Sequence, residues 1–230
     1  MNFEIELQKG ISLCRENRFE EAIVLFDKII ETTPNQPNAL YNKAKALAKL
    51  EKQDESLSLF NKLITIHPSD AHFISERGIL HFVMGQNENA IQDLTYALNL
   101  EPNNPYRYSS RAFILEQTGE LEKALSDYSH ALKIDPNDAI VLNNIGLIEE
   151  KLGHIEKSKN SFERADQLAG VNVDSFKNNP KTSSPLNTGQ EIADQKHSNY
   201  LSTAKNVLID KNTRKEFIKF VFDFLTPKKK

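Results

Sequence analysis

Residues 105–138 read PYRYSSRAFILEQTGELEKALSDYSHALKIDPND, and the same pattern returns along most of the chain. A proline closes each copy at an interval of 34 residues, at Pro34, Pro68, Pro102 and Pro136. A fixed period of this length is typical of a solenoid, in which one supersecondary unit is repeated and each copy packs against the next. The chain is therefore predicted to present an extended surface for another molecule.

Two columns of small residues repeat with the prolines. The first column is Gly10, Ala44, Gly78, Ala112 and Gly146, and the second is Ala22, Ser56, Ala90, Ala124 and Ser158. A large apolar residue lies four places beyond each member of the second column, which is the spacing of one buried helix face. Each unit is therefore predicted to be an antiparallel pair of helices whose backbones approach at the small residues.

The ends of the predicted helices carry local signals. Gly85, Gly119 and Gly153 lie where the first helix of a unit should stop, because glycine most easily adopts a left-handed conformation. The prolines end the second helix. The predicted N-caps are Asp70, Asn104 and Asp138, and Pro37 and Pro105 suit the first helical residue.

On these columns, caps and prolines the chain resembles the tetratricopeptide repeat family over about residues 3–170. The resemblance implies an all-α fold, a right-handed superhelical solenoid of antiparallel helix pairs with a C-terminal helical tail. The five expected units are 3–36, 37–70, 71–104, 105–138 and 139–172. The first and fifth units depart from the pattern at Glu6, Asn17, Glu149, Lys159, Asp166 and Gly170. Polar departures suit the ends of an array, which face water on one side.

The composition favours an intracellular protein. The net charge of −3 over 230 residues predicts no general affinity for nucleic acid. The acidic N-terminus does not resemble a signal peptide, and no apolar run reaches membrane-spanning length. Cys14 has no second cysteine with which to form a disulfide. We therefore expect a cytoplasmic location and no transmembrane segment.

Catalytic patterns are missing from the sequence. The six histidines do not form a metal-binding motif, and Gly78 with Gly85 does not belong to a phosphate-binding glycine motif. Neighbouring carboxylates such as Glu149 and Glu150 point to different sides of a helix, where solvation is their ordinary role. The sequence therefore predicts a protein that is not an enzyme, with no catalytic residue, metal or cofactor.

The resemblance also implies where a partner would bind. In this family the first helices of the units line a concave groove. The residues predicted for the partner groove are Ile11, Tyr41, Lys45, Ile79, Phe82, Tyr106, Phe113 and Leu147, with Val83 and Ile140 beside them. Most are apolar, although for any one of them the alternative is a core contact with a neighbouring unit. The predicted function is a non-enzymatic scaffold that binds a peptide or helix of another protein.

A specialised subset of the family holds the C-terminal carboxylate of chaperone tails with lysine, asparagine and arginine side chains. At the corresponding places this chain has Leu7 and Ile11 in the first unit, and His72 and Glu76 in the third. Only Asn42 matches. A bound carboxylate would lack its cations and would be costly to bury, which argues against a chaperone tail as the partner.

The composition changes beyond the repeats. Residues 171–190 are rich in Asn, Ser, Pro and Gly and predict a flexible linker. Residues 191–208 predict a helix that would cap the array, and residues 212–225 predict an amphipathic, phenylalanine-rich helix. The apolar residues expected to dock are Phe217, Ile218, Phe220, Val221, Phe224 and Leu225. Residues 226–230 form a basic tail.

The end of the chain is positively charged, in contrast to the rest. Residues 205–230 hold eight Lys or Arg and three Asp or Glu, a balance of +5 that leaves −8 for the other residues. Three destinations are open to the helix at 212–225, namely the chain's own solenoid, a partner protein or an anionic membrane surface. The alternative function is therefore a membrane-peripheral adaptor anchored by this helix.

Overall fold

The computed structural model describes residues 3–168, and within that range the secondary structure is ten α-helices without a strand. In chain order they are α1 (Phe3–Arg15), α2 (Phe19–Thr32), α3 (Pro37–Lys49), α4 (Gln53–Ile66), α5 (Ala71–Val83), α6 (Asn87–Leu100), α7 (Pro105–Gln117), α8 (Leu121–Ile134), α9 (Ala139–Lys151) and α10 (Ile155–Leu168). The predicted linker at 171–190, the helices at 191–208 and 212–225 and the basic tail at 226–230 lie outside the described residues.

The helices pack in sequence order. Each odd-numbered helix packs on the even-numbered helix that follows it, and each even-numbered helix packs on the first helix of the next unit. The described residues all belong to the first of the two units into which the chain divides, Met1–Val171. The predicted all-α solenoid of helix pairs is confirmed.

The turn inside each pair contains one residue with a positive φ. These residues are Asn17 (φ 60°), Glu51 (61°), Gly85 (77°), Gly119 (86°) and Gly153 (79°). The three glycines were predicted from the sequence. Asn17 and Glu51 adopt the same left-handed conformation in the first two units, although for Glu51 the side chain makes it unfavourable. The packing of the two helices therefore imposes the turn, and glycine only makes it easier.

The predicted helix caps are confirmed. The Asp70 side chain accepts hydrogen bonds from the backbone N–H groups of His72 and Phe73, and the Asp138 side chain accepts them from Ile140 and Val141 at the start of α9. Asn104 accepts from the N–H of Tyr106. Pro37 and Pro105 occupy the first helical position, where a backbone donor has no intrahelical partner.

The core lies mainly between the two helices of each pair, at the small columns. A methyl group on Gly10 would lie 2.5 Å from the Phe26 ring, and on Gly146 it would lie 2.7 Å from the Phe162 ring. Ala124, in the second small column, is fully buried on α8. In the second unit the buried Ser56 hydroxyl donates a hydrogen bond of 2.8 Å to the Ala44 carbonyl oxygen. The small residues are therefore required because a ring or a backbone lies directly against them.

A ladder of cations joins consecutive units, which the sequence did not predict. Arg77 donates two hydrogen bonds to Asp93, of 2.8 and 2.7 Å, and a third of 2.9 Å to the Asn61 side chain. Arg111 repeats the arrangement one unit later, with bonds of 2.7 and 2.8 Å to Asp127 and one of 3.1 Å to Thr95. The hydrogen bonds to Asp93 and Asp127 raise the pKa of the two guanidinium groups. Each arginine therefore links its own pair to the preceding pair.

Candidate partner groove

Consecutive first helices touch along one side of the array. The rings of Tyr41 on α3 and His72 on α5 have centroids 5.0 Å apart. Phe82 on α5 and Phe113 on α7 meet edge to face at 5.7 Å. We call the side of α3, α5, α7 and α9 on which these contacts occur the first-helix face. It is the surface for which the sequence predicted a partner groove.

The predicted groove residues lie at different depths. Ile11 packs against the core of the first unit, Tyr41 against the core around Phe60, and Phe82 and Phe113 against the core that includes Leu94. These four side chains are half-buried, as are Lys45 and Leu147. Ile79 is buried, with 5% of its surface exposed, whereas Tyr106 is 47% exposed. Several members of the predicted groove therefore also belong to the packing between units.

The most exposed apolar side chains of this face lie near the beginning of the helices. Tyr106 on α7 and Ile140 on α9 are 47% and 40% exposed and occupy equivalent places in consecutive units. The equivalent residue of α5, His72, contacts Tyr41 of the preceding first helix. Because the units repeat, Tyr106 and Ile140 lie in the same row of the first-helix face. They are the part of the predicted surface that is most open to a partner.

A buried carboxylate lies between α3 and α5. The Glu76 side chain is 2% exposed, and its Oε1 accepts a hydrogen bond of 3.1 Å from the Tyr41 hydroxyl and lies 3.8 Å from Lys45 Nζ. Its Oε2 is buried without a hydrogen-bond partner. Burial, together with the neighbouring Glu76 charge, raises the pKa of the Tyr41 hydroxyl, so this group remains a donor. Lys45 also lies 5.3 Å from the centre of the Tyr41 ring.

Arg107 forms a second buried polar contact between α5 and α7. It is 8% exposed, and it donates hydrogen bonds of 3.0 Å to the Ser75 hydroxyl and 2.9 Å to Glu101. Burial favours a higher pKa for the Glu101 carboxyl, but hydrogen bonds from Asn104 and Arg107 outweigh it and lower the pKa. This guanidinium is therefore held inside the array.

A third ion pair joins α7 and α9. Lys151 Nζ lies 2.6 Å from Glu116 Oε1, and the Glu116 side chain is only 9% exposed. In the first unit, Leu7 is 2% exposed and belongs to the core, so it leaves no polar group at the place where the carboxylate-binding subset has lysine. Lys45 and Lys151 on this face are therefore each paired with a carboxylate of the protein.

Within residues 3–168 no three His, Cys, Asp or Glu side chains are grouped as metal ligands would be. Burial raises the pKa of the Cys14 thiol to about 11, against the opposing effect of Lys45, so the thiol is protonated at neutral pH. A cleft of about 370 Å³ between α6, α7 and α8 is lined by Arg111 and Asp127, which bind each other. In the part of the chain that is described, no helix has both the length and the apolar character needed to cross a bilayer.

Comparison with known protein families gives three matches, all to tetratricopeptide repeats. Family models described as tetratricopeptide repeats match residues 7–71 and 139–172, and a model described as TPR repeat matches residues 114–153. Together they match both ends of the helical array. The comparison with curated protein sequences finds no match.

Solved structures share the fold at low sequence identity. A crystal structure of MamA is 20% identical with a TM-score of 0.63, and the match covers 72% of this chain and 96% of MamA. MamA from Desulfovibrio magneticus RS-1 is 18% identical with a TM-score of 0.65, over 74% and 97% of the two chains. YrrB, a TPR protein with an unusual peptide-binding site, is 20% identical with a TM-score of 0.57, over 75% and 89%. These likenesses extend the family assignment from sequence to architecture.

Proposed function

Because the chain belongs to the tetratricopeptide repeat family, we propose that it is a non-enzymatic protein-interaction scaffold whose first-helix face binds a peptide or a helix of another protein. The fold supports a scaffold role, since a solenoid offers a long continuous surface rather than an enclosed pocket. The peptide-binding site of YrrB gives a precedent within the same fold.

The main support for this function is the exposure of Tyr106 and Ile140. Covering large apolar side chains that are nearly half exposed lowers the free energy of the complex. Aromatic residues are also enriched among the residues that dominate binding. The half-buried rings of Phe82 and Phe113 and the side chain of Leu147 lie on the same first-helix face and add to the apolar area. A partner would therefore bury apolar surface that the units do not cover among themselves.

A matched pair of tyrosines tests the proposal. Tyr106 on α7 is 47% exposed and Tyr96 on α6 is 50% exposed, so the two residues differ mainly in the helix that presents them. Affinity capture with the full-length chain, followed by mass spectrometry, identifies proteins retained by the wild type. We expect Tyr106→Ala with Ile140→Ala to lose those proteins and Tyr96→Ala to retain them. Equal capture by both variants would show that the partner binds elsewhere.

The membrane-peripheral adaptor and the docking of residues 212–225 stay predictions from the sequence, because those residues lie outside the described part of the chain. Co-sedimentation with anionic liposomes, with and without residues 209–230, tests the membrane alternative. A membrane anchor predicts that sedimentation is lost on truncation, whereas a scaffold without membrane contact predicts none in either form. The cytoplasmic location is likewise still a prediction.

A further inference from the structure

We propose that the first-helix face takes an uncharged, apolar peptide segment and rejects an acidic one, because carboxylates of the protein itself hold Lys45 and Lys151. The inference rests on the proposed function and adds the chemical class of the partner. Charge complementarity determines this chemical class. Lys45 and Lys151 are already paired with carboxylates of the array, while Tyr106 and Ile140 are exposed and largely apolar.

Lys45 is held by Glu76. The lysine side chain is 16% exposed, the carboxylate is 2% exposed, and their charged atoms are 3.8 Å apart. Since Glu76 Oε2 has no hydrogen-bond partner, the nearby ammonium group is the charge that offsets the buried carboxylate. A ligand carboxylate that drew Lys45 away would leave Glu76 buried without compensation, which is strongly unfavourable. Lys45 is therefore unavailable to an acidic ligand.

A second buried carboxylate binds a lysine two units later. Lys151 lies 2.6 Å from Glu116 and joins α9 to α7; the Glu116 side chain is 9% exposed, whereas that of Lys151 is 44% exposed. Arg107, between these two sites, donates its hydrogen bonds to Ser75 and Glu101 and is 8% exposed. An acidic segment along this face would meet carboxylates beside each of these cations. It would lose its own hydration without gaining a free ion-pair partner.

An uncharged apolar segment has no charge to dehydrate and needs no ion-pair partner. Tyr106 on α7 and Ile140 on α9 remain exposed, and Phe113 and Leu147, two turns further along the same helices, are half-buried. Apolar side chains of a ligand would be buried against these residues while both ion pairs stay intact. Binding of such a segment is expected to change little with salt, because little of it depends on exposed charges.

A random peptide display library tests the class of ligand without a known partner. The library is selected on the full-length wild type at about 0.05 M and about 0.5 M salt, and peptides that also bind Tyr106→Ala with Ile140→Ala are discarded. The expected peptides are rich in apolar residues, have no excess of Asp or Glu, and survive at both salt concentrations. Peptides enriched in acidic or basic residues would overturn this inference and leave the proposed function standing. A selection without any face-dependent peptide would overturn both.

The variant Glu76→Gln tests the cause. Glutamine keeps an oxygen for the Tyr41 hydroxyl but removes the charge that holds Lys45. For a selected peptide with two positions changed to Asp, we expect roughly tenfold tighter binding to Glu76→Gln than to the wild type. The neutral parent peptide should bind both proteins alike. The matched control is Glu55→Gln, which removes the carboxylate of the exposed Lys52–Glu55 pair on α4 and should change neither affinity.

Two further measurements keep the result decisive. If circular dichroism shows that Glu76→Gln does not fold, Glu116→Gln releases Lys151 and gives the same readout. An acidic peptide that binds the wild type as tightly as its neutral parent, or that gains nothing from releasing either lysine, overturns the inference. A synthetic peptide of residues 212–225 is added as a competitor. If it displaces the selected peptides, the occupant is a segment of this chain itself, and the assignment to an external uncharged peptide is overturned.

Discussion

The interface inside each helix pair and the first-helix face follow different rules in the same repeat. Inside the pairs, one position is Gly or Ala in every unit, and at Gly10, Gly78 and Gly146 an added methyl group would come too close to a ring or a backbone atom. Along the first helices of the five units, the next position reads Ile11, Lys45, Ile79, Phe113 and Leu147. The uniform position preserves the packing of the pair, whereas the variable one is free to suit a partner or a neighbouring unit. The comparison is not absolute, since Ile79 is buried.

The largest expected effect tests this exception. Ile79→Ser should lower the free energy of unfolding by about 3 kcal/mol, because a buried aliphatic side chain is lost and a hydroxyl takes its place. The equivalent change at the half-buried Leu147 should cost clearly less. Thermal or urea unfolding of both variants provides the measurement. Equal losses would mean that the two positions are buried alike and that the variable column belongs to the core throughout.

Overpacking of the uniform column is the next largest effect. Ala124 is fully buried, so Ala124→Leu should destabilise the array by about 1–3 kcal/mol. The control is Ser126→Leu on the same helix, where the side chain is exposed and should tolerate the change. Thermal unfolding followed by circular dichroism measures both. An unchanged midpoint for Ala124→Leu would contradict the assigned column.

The cation ladder forms a third kind of contact, in which each arginine binds an aspartate of its own pair and a polar side chain of the preceding pair. Arg111→Met should cost about 2 kcal/mol, because Asp127 would lose two charge-assisted hydrogen bonds in a partly buried site. Lys123→Met removes a cation from the exposed Lys123–Glu120 pair in the same unit and should change stability by less than about 0.5 kcal/mol. Urea unfolding compares them. Similar costs for the two would show that the ladder contributes no more than a surface ion pair.

The smallest expected effect concerns the turn within the pair. Gly119 has a φ of 86°, and an added methyl group would meet no atom within 4 Å. Gly119→Ala should therefore cost about 1 kcal/mol through backbone strain alone. Glu51→Gly, at the equivalent turn of the second unit, should shift stability in the opposite direction. Opposite shifts of the two unfolding midpoints are the expected result, and a stable Gly119→Ala would show that the turn can move.

Residue type explains what could be predicted from the sequence. Prolines, glycines and capping residues act through the local backbone, so Pro105, Gly119 and Asn104 mark helix ends without knowledge of the fold. The turn of the first unit was placed at Asn17, but the turn at Glu51 was missed because glutamate does not indicate a left-handed conformation. The bond between Arg77 and Asp93 was missed because it joins residues 16 apart on two helices, which lies outside the period of either helix.

The sequence by itself determined the repeat, the helix pairs and the turns at Asn17, Gly85, Gly119 and Gly153, because each depends on local backbone preference or on residue type at a fixed spacing. Only the tertiary structure decided the depth of the side chains on the first-helix face. It buried Ile79, left Tyr106 exposed and paired Lys45 with Glu76. Burial and ion pairing depend on which side chains of the next unit approach, and a single helical period does not contain that information.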